Sequence, residues 1–197
     1  HVPENLSQNT VSKIIQDRDG FLWFGTRYGL NKYDGKHFQK YLSDFSDTLA
    51  LSNNHIRDLI EDDEGNFWIG TDMGVNYYDR SKGTFTRYTR DENNPNSLIS
   101  NSSIALHLDH QNRLWVVSEG QGLTMYDINN GKYTRFRQNQ DDPNSISSNH
   151  ITGISEDDNG NIWIGTRGGG LNLYNEGAHQ FLSYNLHVFV YSLYYLT

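Results

Sequence analysis

The apolar residues of this chain come in short runs of strand length closed by Gly, Asp, Asn or Pro, and none sustains the period of about 3.6 that a helix needs. Residues 51–97 show the pattern. Ile56 to Glu61 is a strand-length stretch, followed by the turn formers Asp62-Asp63-Glu64-Gly65-Asn66. Phe67-Trp68-Ile69 reads as a second strand, Gly70 to Gly74 as a turn and Val75 to Tyr78 as a third strand. A further turn, Asp79 to Gly83, leads to the fourth strand, Thr84 to Tyr88, and a polar linker rich in Asn, Asp, Pro and Ser follows.

The same text occurs four times. Trp23, Trp68, Trp115 and Trp163 are separated by 45, 47 and 48 residues and sit in QDRDGFLWFGT, EDDEGNFWIGT, LDHQNRLWVVS and EDDNGNIWIGT. One four-stranded meander cannot bury both of its faces, so the copies must stack. Sheets of this size repeated along a chain predict an all-β fold: a β-propeller of four four-stranded antiparallel blades with almost no helix. It is either a complete four-blade ring or half of a larger or dimeric propeller. The repeats run approximately over 6–50, 51–97, 98–145 and 146–184 of a single domain spanning 1–197, with an atypical tail at 185–197. The last strand of each copy carries Phe38/Tyr41, Phe85/Tyr88, Tyr133/Phe136 or Phe181/Tyr184. A spacing of three puts the two rings on opposite faces of a regular strand, as suits a sheet packed between neighbours, unless the strand is bulged.

Composition narrows the partners. Hydrophobic content is 35% and aromatic content 13%, so the core is expected to be built from rings. A net charge of −8 argues against nucleic acid and anionic membrane, which need a basic surface. The absence of cysteine removes disulfides, catalytic thiols and thiolate metal sites. No run approaches the about 20 apolar residues of a membrane helix. The chain opens at His1 without a leader, so any address or anchor is expected to lie outside this sequence.

In a meander the first-to-second and third-to-fourth turns share one rim, while the second-to-third turns and the linkers share the other. Asn9, Asn54, Asn101 and Asn149 repeat at one position, which suits a turn residue bonding nearby backbone. Their neighbours vary as Thr10, His55, Ser102 and His150. Thr26, Thr71, Ser118 and Thr166 repeat a hydroxyl, and the residue after it varies as Arg27, Asp72, Glu119 and Arg167. Repeated positions hold the blade, and varied positions are free to recognise. The candidate ligand-binding residues are therefore Arg27, Tyr28, His55, Asp72, Met73, Glu119, Gln121, His150 and Arg167. The competing reading is ordinary surface salt bridging.

No cofactor or metal is expected. His55 and His150 lie two blades apart, and His107 and His110 are read as pointing to opposite faces of a strand. The D-x-x-G-N turns lack the closing Glu of a calcium loop. No nucleophile elbow or zinc-protease motif is present, so no catalytic residue is assigned.

The full unit, LSNNHIRDLIEDDEGNFWIGTDMGVNYYDRSKGTFTRYTRDENNPNSL, resembles the two-component regulator propeller repeat, and the likeness covers about nine tenths of the chain. It rests on E-D-x-x-G-N-x-W-I-G-T, on G-L/V-N-x-Y-D and on N-P-N-S or D-P-N-S-I. The third copy departs, with Val117-Ser118 for Gly-Thr and Asn112 for the turn glycine, a residue that tolerates positive φ. The resemblance implies a periplasmic or extracytoplasmic sensor region of bacterial regulators such as hybrid histidine kinases and diguanylate cyclases, many of them responding to oligosaccharides. It also implies further repeats, a three-Tyr domain, a membrane helix and a signalling module, none of which is in this sequence.

Three readings follow. The first is a non-catalytic sensor that binds an oligosaccharide or small polar molecule. The second is an interaction module, an incomplete ring that forms a homodimer or meets missing repeats and signalling domains. The third, a carbohydrate lyase or hydrolase, has no motif in its favour.

Overall fold

The computed structural model describes residues 5–185, in which four antiparallel sheets each join four consecutive strands. Blade 1 comprises β1 (Val11–Gln16), β2 (Leu22–Thr26), β3 (Gly29–Tyr33) and β4 (Phe38–Tyr41). Blade 2 comprises β5 (Ile56–Glu61), β6 (Phe67–Thr71), β7 (Gly74–Asp79) and β8 (Thr84–Tyr88). Blade 3 comprises β9 (Ser103–Leu108), β10 (Arg113–Ser118), β11 (Gly122–Asp127) and β12 (Lys132–Phe136), and blade 4 comprises β13 (Ile151–Glu156), β14 (Ile162–Thr166), β15 (Gly170–Asn175) and β16 (Gln180–Tyr184). One 3-10 turn, Glu176–Ala178, is the only helical element among the described residues. The expected all-β bladed architecture is the one adopted. The β2–β3 type turn is tighter than its text suggests: Thr71 pairs with Gly74, so Gly70, Thr71 and Gly74 belong to strands and only Asp72 and Met73 turn the chain. The aromatic tail, apart from Asn185, lies outside the described residues.

Three apolar cores join successive blades. Trp23, Leu30 and Tyr41 of blade 1 meet Leu59, Phe67, Tyr78 and Phe85 of blade 2. Trp68, Val75 and Tyr88 of blade 2 meet Leu106, Leu114, Tyr126 and Tyr133 of blade 3, and Trp115, Leu123 and Phe136 of blade 3 meet Ile162, Tyr174 and Phe181 of blade 4. The two rings of each last strand thus serve opposite faces, and β3–β4, β7–β8, β11–β12 and β15–β16 pair without a bulge.

Polar bonds fix each blade at both ends. Trp23, Trp115 and Trp163 donate their indole N–H to Asp17, Asp109 and Asp157, each at 2.8 Å, while the other carboxylate oxygen caps the hairpin. The Trp163 bond, then those of Asn161, hold the Asp157 carboxyl down at about 2. At the opposite end the buried Asn31, Asn76 and Asn172 accept the backbone N–H of Ser7, Ser52 and Ser147 and donate to the same serines' hydroxyls. Blade 3 replaces both partners: Thr124 Oγ1 accepts from Ile99 N at 2.9 Å.

The glycine of Gly-Thr admits the next blade. A Cβ at Gly70 would lie 2.7 Å from the Ser103 carbonyl oxygen, and one at Gly25 would lie 2.7 Å from Ile56 Cγ2. Blade 3 has Val117 there, buried in the core it shares with Ile151, and β13 meets β9 less extensively than β9 meets β5.

Candidate functional site

The rim formed by the β2–β3, β6–β7, β10–β11 and β14–β15 turns carries all nine candidate residues. Three of its repeated hydroxyls, those of Thr26, Thr71 and Thr166, are consumed locally, whereas Ser118 Oγ is buried without a hydrogen-bond partner among the described residues. Thr71 Oγ1 accepts from Met73 N and donates to the Gly74 carbonyl, and Thr26 does the same with Tyr28 and Gly29. Three of the four repeated asparagines are consumed as well: Asn54, Asn101 and Asn149 accept the backbone N–H of Ser43, Arg90 and Gln138, fastening each blade's exit to the next blade's entry.

The varied residues divide into two groups. His55 Nδ1 and Arg57 Nε both contact the Asp72 carboxylate, at 2.6 and 2.7 Å. Burial pushes the Asp72 carboxyl up, but the Arg57 and His55 bonds outweigh it and hold the group below its ordinary value. Gln121 Oε1 accepts from Arg137 at 2.9 Å, and the His150 ring lies against Gly120 of the preceding blade. In contrast, Arg27, Glu119 and Arg167 are exposed and their side chains form no ion pair among the described residues. Tyr28 and Met73 stand out beside them at 54% and 42% exposure. Surface salt bridging therefore accounts for Asp72 and not for Arg27, Glu119 or Arg167.

The opposite, acidic rim fastens the blades to one another. Arg18 of blade 1 donates through its backbone N and its Nε to Glu61 of blade 2, and Arg80 reaches back to Asp19 at 2.6 Å. Between blades 3 and 4, His110 engages Glu156 through its backbone N and Nδ1, and Arg113 bridges Asp109 and Glu176 at 2.7 and 2.8 Å. The expectation that His107 and His110 occupy opposite faces of one strand is corrected here. Strand β9 ends at Leu108, so His110 lies in the hairpin and both rings border one hollow beside Glu61 and Glu156. His107 is half buried, and that burial lowers its pKa.

Two arginine clasps add to the residues expected from sequence. Arg87 donates to the carbonyls of Ala50, Leu51, Asp44 and Asp47, and Arg135 to those of Ser97 and Asn94, so each binds the linker that precedes its own blade. The recurring Thr-Arg-Tyr/Phe of the last strand is the signal that marks them.

The pattern of the family described as Two component regulator propeller matches residues 5–28, 50–73 and 145–168, which fall in copies one, two and four. Histidine kinase P4 of Formosa agariphila is 47% identical over 49 residues, 25% of this chain and 4% of that protein. The extracellular domain of BT3049 from B. thetaiotaomicron, described as a hybrid two component system, superposes with a TM-score of 0.65 and 29% identity over 91% of this chain and 31% of that one. The extracellular domain of BT4673 from the same organism gives a TM-score of 0.70 and 25% identity over 89% of this chain and 25% of that one. The chain thus spans a third or less of each relative's length.

Proposed function

We propose that this chain, a member of the two component regulator propeller family by its repeats, is a non-catalytic, extracytoplasmic ligand-sensing propeller of a bacterial signal-transduction protein. Its ligand is an oligosaccharide or another polar small molecule held at the β2–β3 rim. One observation carries the reading: at that rim the hydroxyls of Thr26, Thr71 and Thr166 and the amides of Asn54, Asn101 and Asn149 are spent on holding the blades, while Arg27, Glu119 and Arg167 form no ion pair among the described residues and stand exposed beside Tyr28 and Met73. The extracellular origin of the BT3049 and BT4673 domains supports the placement, and described residues include no helix long and apolar enough to cross a membrane. An oligosaccharide that binds only the folded protein is expected to raise Tm by mass action. Arg27→Ala combined with Arg167→Ala is expected to remove the shift and leave the unliganded Tm unchanged. A folded sample that no member of a broad glycan panel shifts counts against this ligand class.

A second reading, self-assembly, has its own observation. Leu171, Leu182 and Tyr184 on the outer face of blade 4 are 40%, 55% and 48% exposed, whereas Leu30, Val75 and Leu123, equivalent to Leu171, are buried. The complementary face, on blade 1, also stands open: Ile14 is 58% exposed, against 0% and 6% for the equivalent Leu59 and Leu106. Blade 1 of a second copy fits blade 4 by the same register that joins blades within the chain. Size-exclusion light scattering is expected to give about twice the 22.7 kDa of one chain. A monomer that persists as concentration rises sinks the idea.

A further inference from the structure

The joint between blades 2 and 3 breaks the pattern of the other two at the acidic rim. Where it is latched, the residue after the hairpin Asp lies over the next blade's hairpin glycine and grips a Glu at the end of that blade's first strand. Arg18 lies over Gly65 and holds Glu61, and His110 lies over Gly160 and holds Glu156. At the joint between them all three parts are changed: Asp63 replaces the cation, Leu108 the Glu, and Asn112, at φ 62°, the glycine. Among the described residues no ion pair crosses from blade 2 to blade 3. The rim opens there into a cavity of about 340 Å³ bordered by Asp62, Asp63, Trp68, Tyr77, Tyr88 and His110.

The tryptophan bordering this cavity is also the exception among its kind. Trp68 is 3% exposed, yet among the described residues its indole N–H has no partner: the Tyr77 hydroxyl donates at 3.1 Å to Asp62 Oδ2, the oxygen that the other three blades give to their Trp. The positions equivalent to Tyr77 are Lys32, Met125 and Leu173, so this diversion belongs to blade 2 alone. The Trp68 Nε1 atom is not fully enclosed, and the residue lines the cavity. Burial and the Asp62 charge push the Tyr77 pKa up, which keeps its hydroxyl protonated and Asp62 occupied.

From these features we infer a second binding site, for a small hydroxylated organic amine such as an amino sugar. Its ammonium group lies against the unpaired Asp63 carboxylate and over the faces of Trp68, Tyr77 and Tyr88, where ring quadrupoles attract a cation. Its hydroxyl oxygen accepts from the Trp68 N–H. Among the described residues no Lys or Arg borders the cavity, and the basic group that does, His110, is already turned to Glu156. The site stands apart from the β2–β3 rim and does not depend on the sensing assignment.

Glucosamine and glucose, titrated at equal ionic strength and followed by tryptophan fluorescence and by the Trp68 indole N–H resonance, test the inference. Glucosamine is expected to saturate and to move that resonance, and glucose to do neither. Asp63→Asn, an exposed change that leaves the fold intact, is expected to weaken glucosamine binding about tenfold. Tyr77→Leu, which installs the fourth blade's residue, frees Asp62 to take the Trp68 N–H and is expected to abolish binding. Arg27→Ala with Arg167→Ala leaves glucosamine binding unchanged, which separates this site from the other rim. The inference is overturned if glucosamine does not saturate, if glucose binds equally, or if Asp63→Asn has no effect.

Discussion

Trp115→Ala is expected to lower the unfolding free energy by about 3–5 kcal/mol, the range for deleting a large buried aromatic. The Trp115 ring is fully buried, stacks on Phe136 at 5.9 Å and meets Tyr174 edge-on at 5.0 Å. Its loss also strips one partner from Asp109, a carboxylate whose remaining oxygen and arginine contacts organise the hairpin. Trp163→Ala is the informative comparison. It holds the same place in its repeat and makes the same bond, but its ring is only half buried, against an exposed Tyr184. Urea unfolding should therefore show a clearly smaller loss for Trp163, with unchanged m-values in both variants. Equal losses would mean that the outer face of blade 4 is covered in solution, which is what self-assembly requires.

Asn76→Ala is expected to cost about 1–3 kcal/mol, because it leaves the buried Ser52 N–H without its acceptor and takes one donor from the Ser52 hydroxyl, which keeps only its contacts to Thr71 and Met73. The volume removed is small, so the cost comes from unpaired polar groups. The third blade supplies the control, since it carries Ile99 and Thr124 at the two positions and needs only the Ile99 N–H bond. Ser52→Ile combined with Asn76→Thr should accordingly recover most of the loss, and a double-mutant cycle measures the coupling. Additive effects of the two changes would show that the Ser–Asn pair is not the cause.

The strand pattern, the meander and the face assignment of the last-strand rings were all readable, because each is local or repeated four times with the same period. The six-residue interval between hairpin Asp and Trp was equally visible, yet its hydrogen bond was not, since nothing in spacing reveals which oxygen faces an indole. The β6–β7 turn was drawn too wide because Gly and Thr are turn formers by propensity. Here the glycine sits in a strand to admit the neighbouring blade, and the threonine closes the turn from its last paired position. Placing His110 in a strand failed for a related reason: the Asp-x-x-Asn hairpin starts one residue before it. At the candidate rim, the distinction between repeated and varied positions separated most structural side chains from free ones. It did not foresee the capture of Asp72 by Arg57, whose equivalents Ser12, Ile104 and Thr152 carry no charge. The diversion of Asp62 by Tyr77 was hidden because both the Asp and the Trp are still present.

Val117 gives the arc an uneven joint. In a wheel of identical spokes, the angle turned at each hub contact sets how many spokes complete the circle. The glycines at 25 and 70 allow a close step, whereas at the next joint Val117 fills the same place with a buried side chain. That joint is fastened at its margin by Arg113–Glu176 and His110–Glu156, where the joint before it has no ion pair among the described residues. A change of angle there would alter the distance from Arg167 to Arg27 while leaving each blade's internal hydrogen bonds intact. A single side chain in the third repeat thereby sets the last of the three joints apart from the other two.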